Sequence, residues 1–188
     1  MSAHLCNSVT ALAALTFSDW MLKGAESSVL ESLRAMTQAL QSQDSAVGAQ
    51  AATVGRLLET MTLEELGRSW TQAFCVGERS VTPHESVALT GLVMQEPRDE
   101  VLAAMHVHGL APEDSVHEPA DHLGVMLAFW ARLVADETCL DHAQSFRRDH
   151  LSWLPWLEKQ LRLKQPDNAI AIELTVLLEA VVEDFAGC

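Results

Sequence analysis

Apolar residues recur along this chain at spacings of three and four, the period of a helix that buries one face. Leu5, Val9, Leu12, Phe17, Trp20 and Met21 carry that spacing and predict a first helix ending about Gly24. Ser28 and Glu31 form a capping-box pattern ahead of Leu30, Leu33, Met36 and Leu40. Val47, Ala51, Val54, Leu57, Leu58 and Met61 make a third amphipathic run. Thr62 and Glu65 then offer a second capping box before Leu63, Leu66, Trp70 and Phe74. Gly77 and Pro83 punctuate a loop from Val76 to His84. Glu85 to Met94 reads as a weak helix, and Pro97 to His108 as a stronger one closed by Gly109. A polar connector covers 111–118, and a long apolar helix is predicted from Pro119 to Ala135. Thr138 to Leu163 reads as helix broken at Pro155, and Pro166 to Phe185 as a last helix with Ile170, Leu174, Leu177, Leu178 and Val181 facing inward. Sustained period-two alternation is missing, Tyr is absent and no repeat is visible. The expected fold is an all-α, single-domain bundle of about eight to ten helices over residues 1–188, with a candidate hinge at 111–118.

Composition narrows the function classes. A length of 188 residues favours one domain, and 48% hydrophobic against 20% charged residues excludes intrinsic disorder. Lys and Arg total 12 against 26 Asp and Glu, a formal charge of -14. That balance argues against a nucleic-acid-binding surface and against an anionic membrane, and makes a basic partner the natural complement. Residues 1–17 have no early Lys or Arg, so the basic n-region of a secretory signal is missing. The apolar runs fall short of the ~20 residues a membrane-spanning helix needs. Cys6, Cys75, Cys139 and Cys188 are scattered without a CxxC pair and read as reduced thiols of a cytoplasmic protein.

Catalytic signatures are missing. There is no GxxxxGK[ST] phosphate loop, GxGxxG turn or GxSxG elbow. Glu-x-x-His, which a ferritin-like di-iron site needs, does not occur. His106 and His108 are two residues apart on a helix and face different ways, and the Asp141–His142 and Asp149–His150 neighbours diverge likewise. The chain is therefore read as a non-enzyme with no metal and no cofactor.

The segment Glu118-Pro119-Ala120-Asp121-His122-Leu123-Gly124 is the least composition-like stretch. Glu118 and Pro119 resemble an N-cap and first helical position, which places Asp121 in the first turn. Two readings stand on these residues alone: Asp121 stabilises its own helix start through the helix dipole, or it belongs to a binding site. Three motifs in order add context. Phe74-x-x-Gly77 is followed by Pro83-x-Glu85-Ser86; then comes the Glu118–Gly124 segment; then His150-Leu151-x-Trp153-Leu154-Pro155-Trp156. In this order the chain resembles the TorD/DmsD/NarJ family of redox-enzyme maturation chaperones over roughly residues 70–160. It departs from that pattern after Ser86, where Val87, Ala88 and Leu89 stand in place of an aromatic residue, and in the Gly77–Pro83 loop, which has no aromatic residue.

The resemblance implies a cytoplasmic, non-catalytic chaperone. Such a protein binds the twin-arginine leader (signal peptide), the apo-form, or both, of a molybdopterin oxidoreductase precursor, assists cofactor insertion and delays export. The alternative it implies is an adaptor for the body or N-terminus of a non-exported redox subunit, as in the nitrate-reductase branch. Guanine-nucleotide binding, suggested for some relatives, finds no phosphate loop here. Carried over from the family, Asp121 and His122 are the leader-binding residues, beside Glu118 and Pro119, with Glu85 and Ser86 across the groove and Pro83 shaping the loop. Phe74, Gly77 and Trp70 border it, although the helical spacing of Trp70 and Phe74 suits plain core, as do Trp153 and Trp156. Met94, Met105 and Met126 serve either core or an adaptable apolar surface. A leader with a basic end and an apolar run of about 7–15 residues suits an acidic helical groove. A monomer is expected, with a dimer swapped at 111–118 as the alternative.

Overall fold

The computed structural model describes residues 3–112 and 115–185, with side chains from residue 7 onward. Ten α-helices follow one another among the described residues: α1 (Ala3–Lys23), α2 (Ser27–Leu40), α3 (Ala46–Glu59), α4 (Leu63–Trp70), α5 (Glu85–Thr90), α6 (Glu96–Val107), α7 (Leu123–Ala135), α8 (Leu140–His150), α9 (Leu154–Lys164) and α10 (Ala169–Asp184). A π-helical turn, Thr71–Cys75, extends α4, and a 3-10 turn, Glu137–Cys139, precedes α8. The described residues contain no strand, only an isolated antiparallel bridge between His84 and His122. None of these helices is long and apolar enough to cross a membrane.

The core is built around α7, whose apolar residues are buried on nearly every side, as expected of a central helix. It packs along α1, while α10 closes against α3 and α9. The α1–α7 contact is close because Gly124 has no side chain: a Cβ there would lie 2.6 Å from Cγ of Leu22. The Ser18 hydroxyl donates to the Gly124 carbonyl at 2.7 Å, so the polar groups at this crossing are satisfied.

Several predicted details differ. In α1 the small residues Ala11, Ala13 and Ala14 take the buried face beside Phe17, which turns Leu12 out to 61% exposure. The Leu5 side chain lies outside the described residues. The Ser28–Glu31 capping box does not form, because α2 starts at Ser27 and its first turn already closes through Leu30 N–H to the Glu26 carbonyl. The Thr62–Glu65 box does form, with both reciprocal bonds. The α8–α9 break falls at 151–153, and Pro155 sits in the first turn of α9, where its missing N–H costs nothing. The last helix starts at Ala169 rather than Pro166, since 165–168 form a turn in which Asn168 bonds Ser69 and Gln165. Cys75 and Cys139 are free thiols. The side chain of Cys6, all of Cys188, and residues 113 and 114 within the candidate hinge lie outside the described residues.

Candidate partner-binding site

The largest correction concerns the start of α7. Glu118 and Pro119 do not begin the helix, and Asp121 is not in its first turn: the N-cap is His122. Residues 119–123 are instead drawn into a short extended pairing with residues 83–85. The Leu123 N–H donates to the Pro83 carbonyl at 2.9 Å, and the Glu85 N–H to the Asp121 carbonyl at 3.1 Å. Backbone groups committed to this cross-chain bridge cannot also join a helical turn.

Asp121 caps a helix, but not its own. Its Oδ2 accepts from the Ser86 N–H at 3.0 Å, at the N-terminus of α5, where unpaired N–H groups and the dipole favour a carboxylate. His122 caps α7 through its ring: the Gly124 N–H donates to Nδ1 at 3.1 Å, so Nδ1 carries no proton and Nε2 does. Burial, and then the neighbouring His84, hold the His122 pKa down at about 3. Burial also lowers the pKa of His84, against the pull of Asp121 and Glu118. The two imidazoles meet edge to face with centroids 5.0 Å apart.

Glu85 is the second buried carboxyl, 2% exposed. Nδ1 of His150 lies 3.1 and 3.3 Å from its two oxygens. Burial pushes the Glu85 pKa up, and the His150 hydrogen bond works against that rise. The Ser86 hydroxyl accepts from the Gln95 N–H at 3.2 Å, which ties the start of α5 to the turn before α6. Pro83, Glu85, Ser86, Asp121, His122 and His150 thus form one framework, drawn from three separated stretches of chain.

Little of this framework faces solvent. Asp121 and Ser86 are fully buried, as are Asp121 Oδ1 and His84 Nδ1, neither of which has a hydrogen-bond partner among the described residues. Glu118 is the exposed carboxylate of the group, 3.7 Å from Nε2 of His84. Pro119 is half-buried, and its carbonyl accepts from the His122 N–H. Trp70 and Phe74 face the end of α1 rather than the bridge. Phe74 meets Trp20 edge to face at 5.5 Å, and Trp70 covers Gly24, where φ is +66° and a Cβ would fall 2.9 Å from the indole. Gly77 is exposed, with φ +91°. It also borders a cleft of about 810 Å³ between α3, α4 and the α9–α10 turn, which none of the other candidate residues lines.

Two residues of this site had no role legible in the sequence: His150 of the framework and His84 beside it, although both lie within the motifs. An exposed apolar turn lies at the far end of α5, of which the sequence singled out only Met94 as a surface residue. Leu89, Leu92, Val93 and Met94 are there 51–62% exposed, with Met94 at a φ of 59°. Helix α5 is six residues long, so this turn lies about 9 Å along its axis from the Asp121 cap. Met105 and Met126 are buried in the core, as is Trp153, whose indole N–H donates to the His150 carbonyl at 2.9 Å. Trp156 packs half-buried beside it.

Residues of three sequence motifs meet on one buried framework within a helical bundle, and comparison with known proteins shows the family. The family model "Nitrate reductase delta subunit" matches residues 40–162. The chain belongs to this family, which includes the TorD and NarJ redox-enzyme maturation chaperones. Among curated relatives, a chaperone protein TorD of Vibrio cholerae is 33% identical over 104 residues, covering 48% of this chain and 47% of the relative. A TorD of Vibrio vulnificus is 31% identical over 86 residues, covering 39% and 40%. The matches therefore span about half the length of these relatives or less. In fold, the chain resembles the crystal structure of an Archaeoglobus fulgidus protein assigned to redox enzyme maturation. The TM-score is 0.62 at 16% identity, with 92% of this chain and 91% of that one covered.

Proposed function

We propose that this protein is a cytoplasmic, non-catalytic chaperone that binds the twin-arginine leader of a molybdopterin-oxidoreductase precursor and holds the apo-enzyme for cofactor insertion before export. The observation that supports the reading is the meeting of Pro83-x-Glu85-Ser86, the Glu118–Gly124 segment and His150 on one buried framework, with an exposed apolar turn at the far end of the same short helix α5. Asp121, His122, Glu85, Ser86 and Pro83 are positioning residues in this reading: buried, they fix α5 and the start of α7. Glu118, with Glu96 and Glu100 on α6, supplies exposed carboxylates for the paired arginines, which carboxylates can grip bidentately. Leu89, Leu92, Val93 and Met94 offer the apolar run of the leader a surface. Trp70 and Phe74 pack against the end of α1 at the head of the loop, Gly77 lies in the loop itself, and the chaperone acts as a monomer.

The test is calorimetric titration with a synthetic peptide carrying two adjacent arginines followed by an apolar run. Affinity is expected to fall several-fold from low to physiological ionic strength, because the Debye length shrinks to about 8 Å at 0.15 M. Asp121→Ala and Glu118→Gln should each weaken binding while circular dichroism shows the helices retained. Affinity indifferent to salt and to both substitutions contradicts the proposal. The family's description favours a second reading, in which the same surface takes the N-terminus or body of a redox subunit that is not exported.

A further inference from the structure

Away from the framework, at the opposite end of α6, three metal-ligating side chains converge. His108 closes α6, Cys139 precedes α8 and His142 lies in the first turn of α8. Their ligand atoms all lie within 4.8 Å of one another. Nδ1 of His108 is 3.9 Å from Sγ of Cys139, and the two imidazoles meet edge to face with centroids 4.8 Å apart. Cys139-x-x-His142 puts two of the ligands on one helical face, and His108 reaches them from another helix. His106, its near neighbour in sequence, is exposed and takes no part.

We infer that His108, Cys139 and His142 form a binding site for a divalent transition-metal ion of the zinc class. Tetrahedral zinc takes nitrogen at about 2.0–2.1 Å and thiolate sulfur at about 2.3 Å, which sets nitrogen and sulfur about 3.6 Å apart. The observed 3.9 Å closes to that value with a small side-chain adjustment. Two imidazoles and a thiolate suit zinc and disfavour the hard cations Mg²⁺ and Ca²⁺, which need oxygen ligands. Three protein ligands leave a fourth position for water or a small ligand. It has room, since a cleft of about 200 Å³ opens beside the cluster, lined by His108, His142, Phe129 and Phe146 among others. Phe129 also packs against the His108 ring at 5.8 Å and holds it in place. Binding releases the Cys139 thiol proton to solvent and requires both imidazoles neutral. The ion then pins the end of α6 to the start of α8.

The test is Zn²⁺ titration into the full chain against a chromophoric chelator, with Co²⁺ as the spectroscopic reporter. One equivalent is expected, and the thiolate-to-Co²⁺ charge-transfer band should vanish in Cys139→Ser. His108→Ala and His142→Ala should each weaken Zn²⁺ binding at least about tenfold, since even outer-shell changes cost 10–100-fold. His106→Ala should leave it unchanged. Zn²⁺ should raise the melting temperature of the parent protein and not that of Cys139→Ser. Failure to take up one equivalent, or a charge-transfer band that survives Cys139→Ser, overturns the assignment.

Discussion

Replacing His150 by alanine is expected to destabilise the fold by about 3 kcal/mol. The imidazole is the side-chain partner of the Glu85 carboxyl, at 3.1 Å, and both side chains are largely removed from water, at 13% and 2% exposure. Removing one member of a buried pair leaves the other desolvated and unpaired, which typically costs more than the pair contributed. Asp121 stands close enough to raise the Glu85 pKa further, which adds to the cost of leaving that carboxyl without its partner. The ring also packs against Phe146, with centroids 4.8 Å apart, and its loss opens a gap there. Urea denaturation reads the change directly. Adding Glu85→Gln to His150→Ala should recover about 1 kcal/mol, because a neutral amide is cheaper to leave buried than a carboxylate. A loss below about 1 kcal/mol in the single variant would show that the pair is not a structural tie between α5 and α8.

The second large effect is on acid stability. The His122 pKa is about 3 in the fold against 6.5 ordinarily, so the folded protein refuses a proton that the unfolded chain accepts. This contribution is fully present above pH 6.5 and is lost as pH falls towards 3. Between pH 6.5 and 5 it removes about 2 kcal/mol, at 1.36 kcal/mol per unit. His84 works in the same direction. Glu85, and Glu179 with its pKa pushed up to about 7 by burial, work oppositely and gain stability on acidification. The parent profile is therefore a mixture, and a substitution isolates the histidine. His122→Asn keeps an N-cap acceptor for the Gly124 N–H and removes the titrating ring. Its stability loss between pH 7 and pH 5 should be smaller than the parent's by about 2 kcal/mol in chemical denaturation. Equal losses would mean that His122 is not held neutral.

Much of the fold was legible because helices announce themselves through period and punctuation. Gly24 and Gly109 end α1 and α6 in the left-handed conformation that glycine adopts freely, and the Thr62–Glu65 box opens α4 as its spacing suggests. What periodicity could not tell was which of two faces wins when alanines compete with leucines, as at Leu12. It also could not see a non-local bridge. Glu118-Pro119 has the chemistry of a helix start, and only pairing with residues 83–85, some 35 positions away, draws it out of the helix. The family resemblance set Glu85 and Ser86 beside Asp121, but the same non-locality hid that Asp121 caps α5 and that Glu85 pairs with His150. The His108–Cys139–His142 cluster is invisible to local spacing, because His106–His108 and Asp141–His142 are neighbours within one helix whereas the cluster joins His108 to residues 31 or more positions away.

In the proposed function this protein chaperones a redox-enzyme precursor through its leader. The most direct measurement is recovery of the tagged protein from its native host grown anaerobically, with identification of what co-purifies, repeated after the leader of the recovered partner is deleted. One molybdoenzyme precursor is expected, lost on leader deletion. Recovery that survives deletion would contradict leader recognition and favour the body-binding reading, and recovery of no redox enzyme would contradict the chaperone function itself.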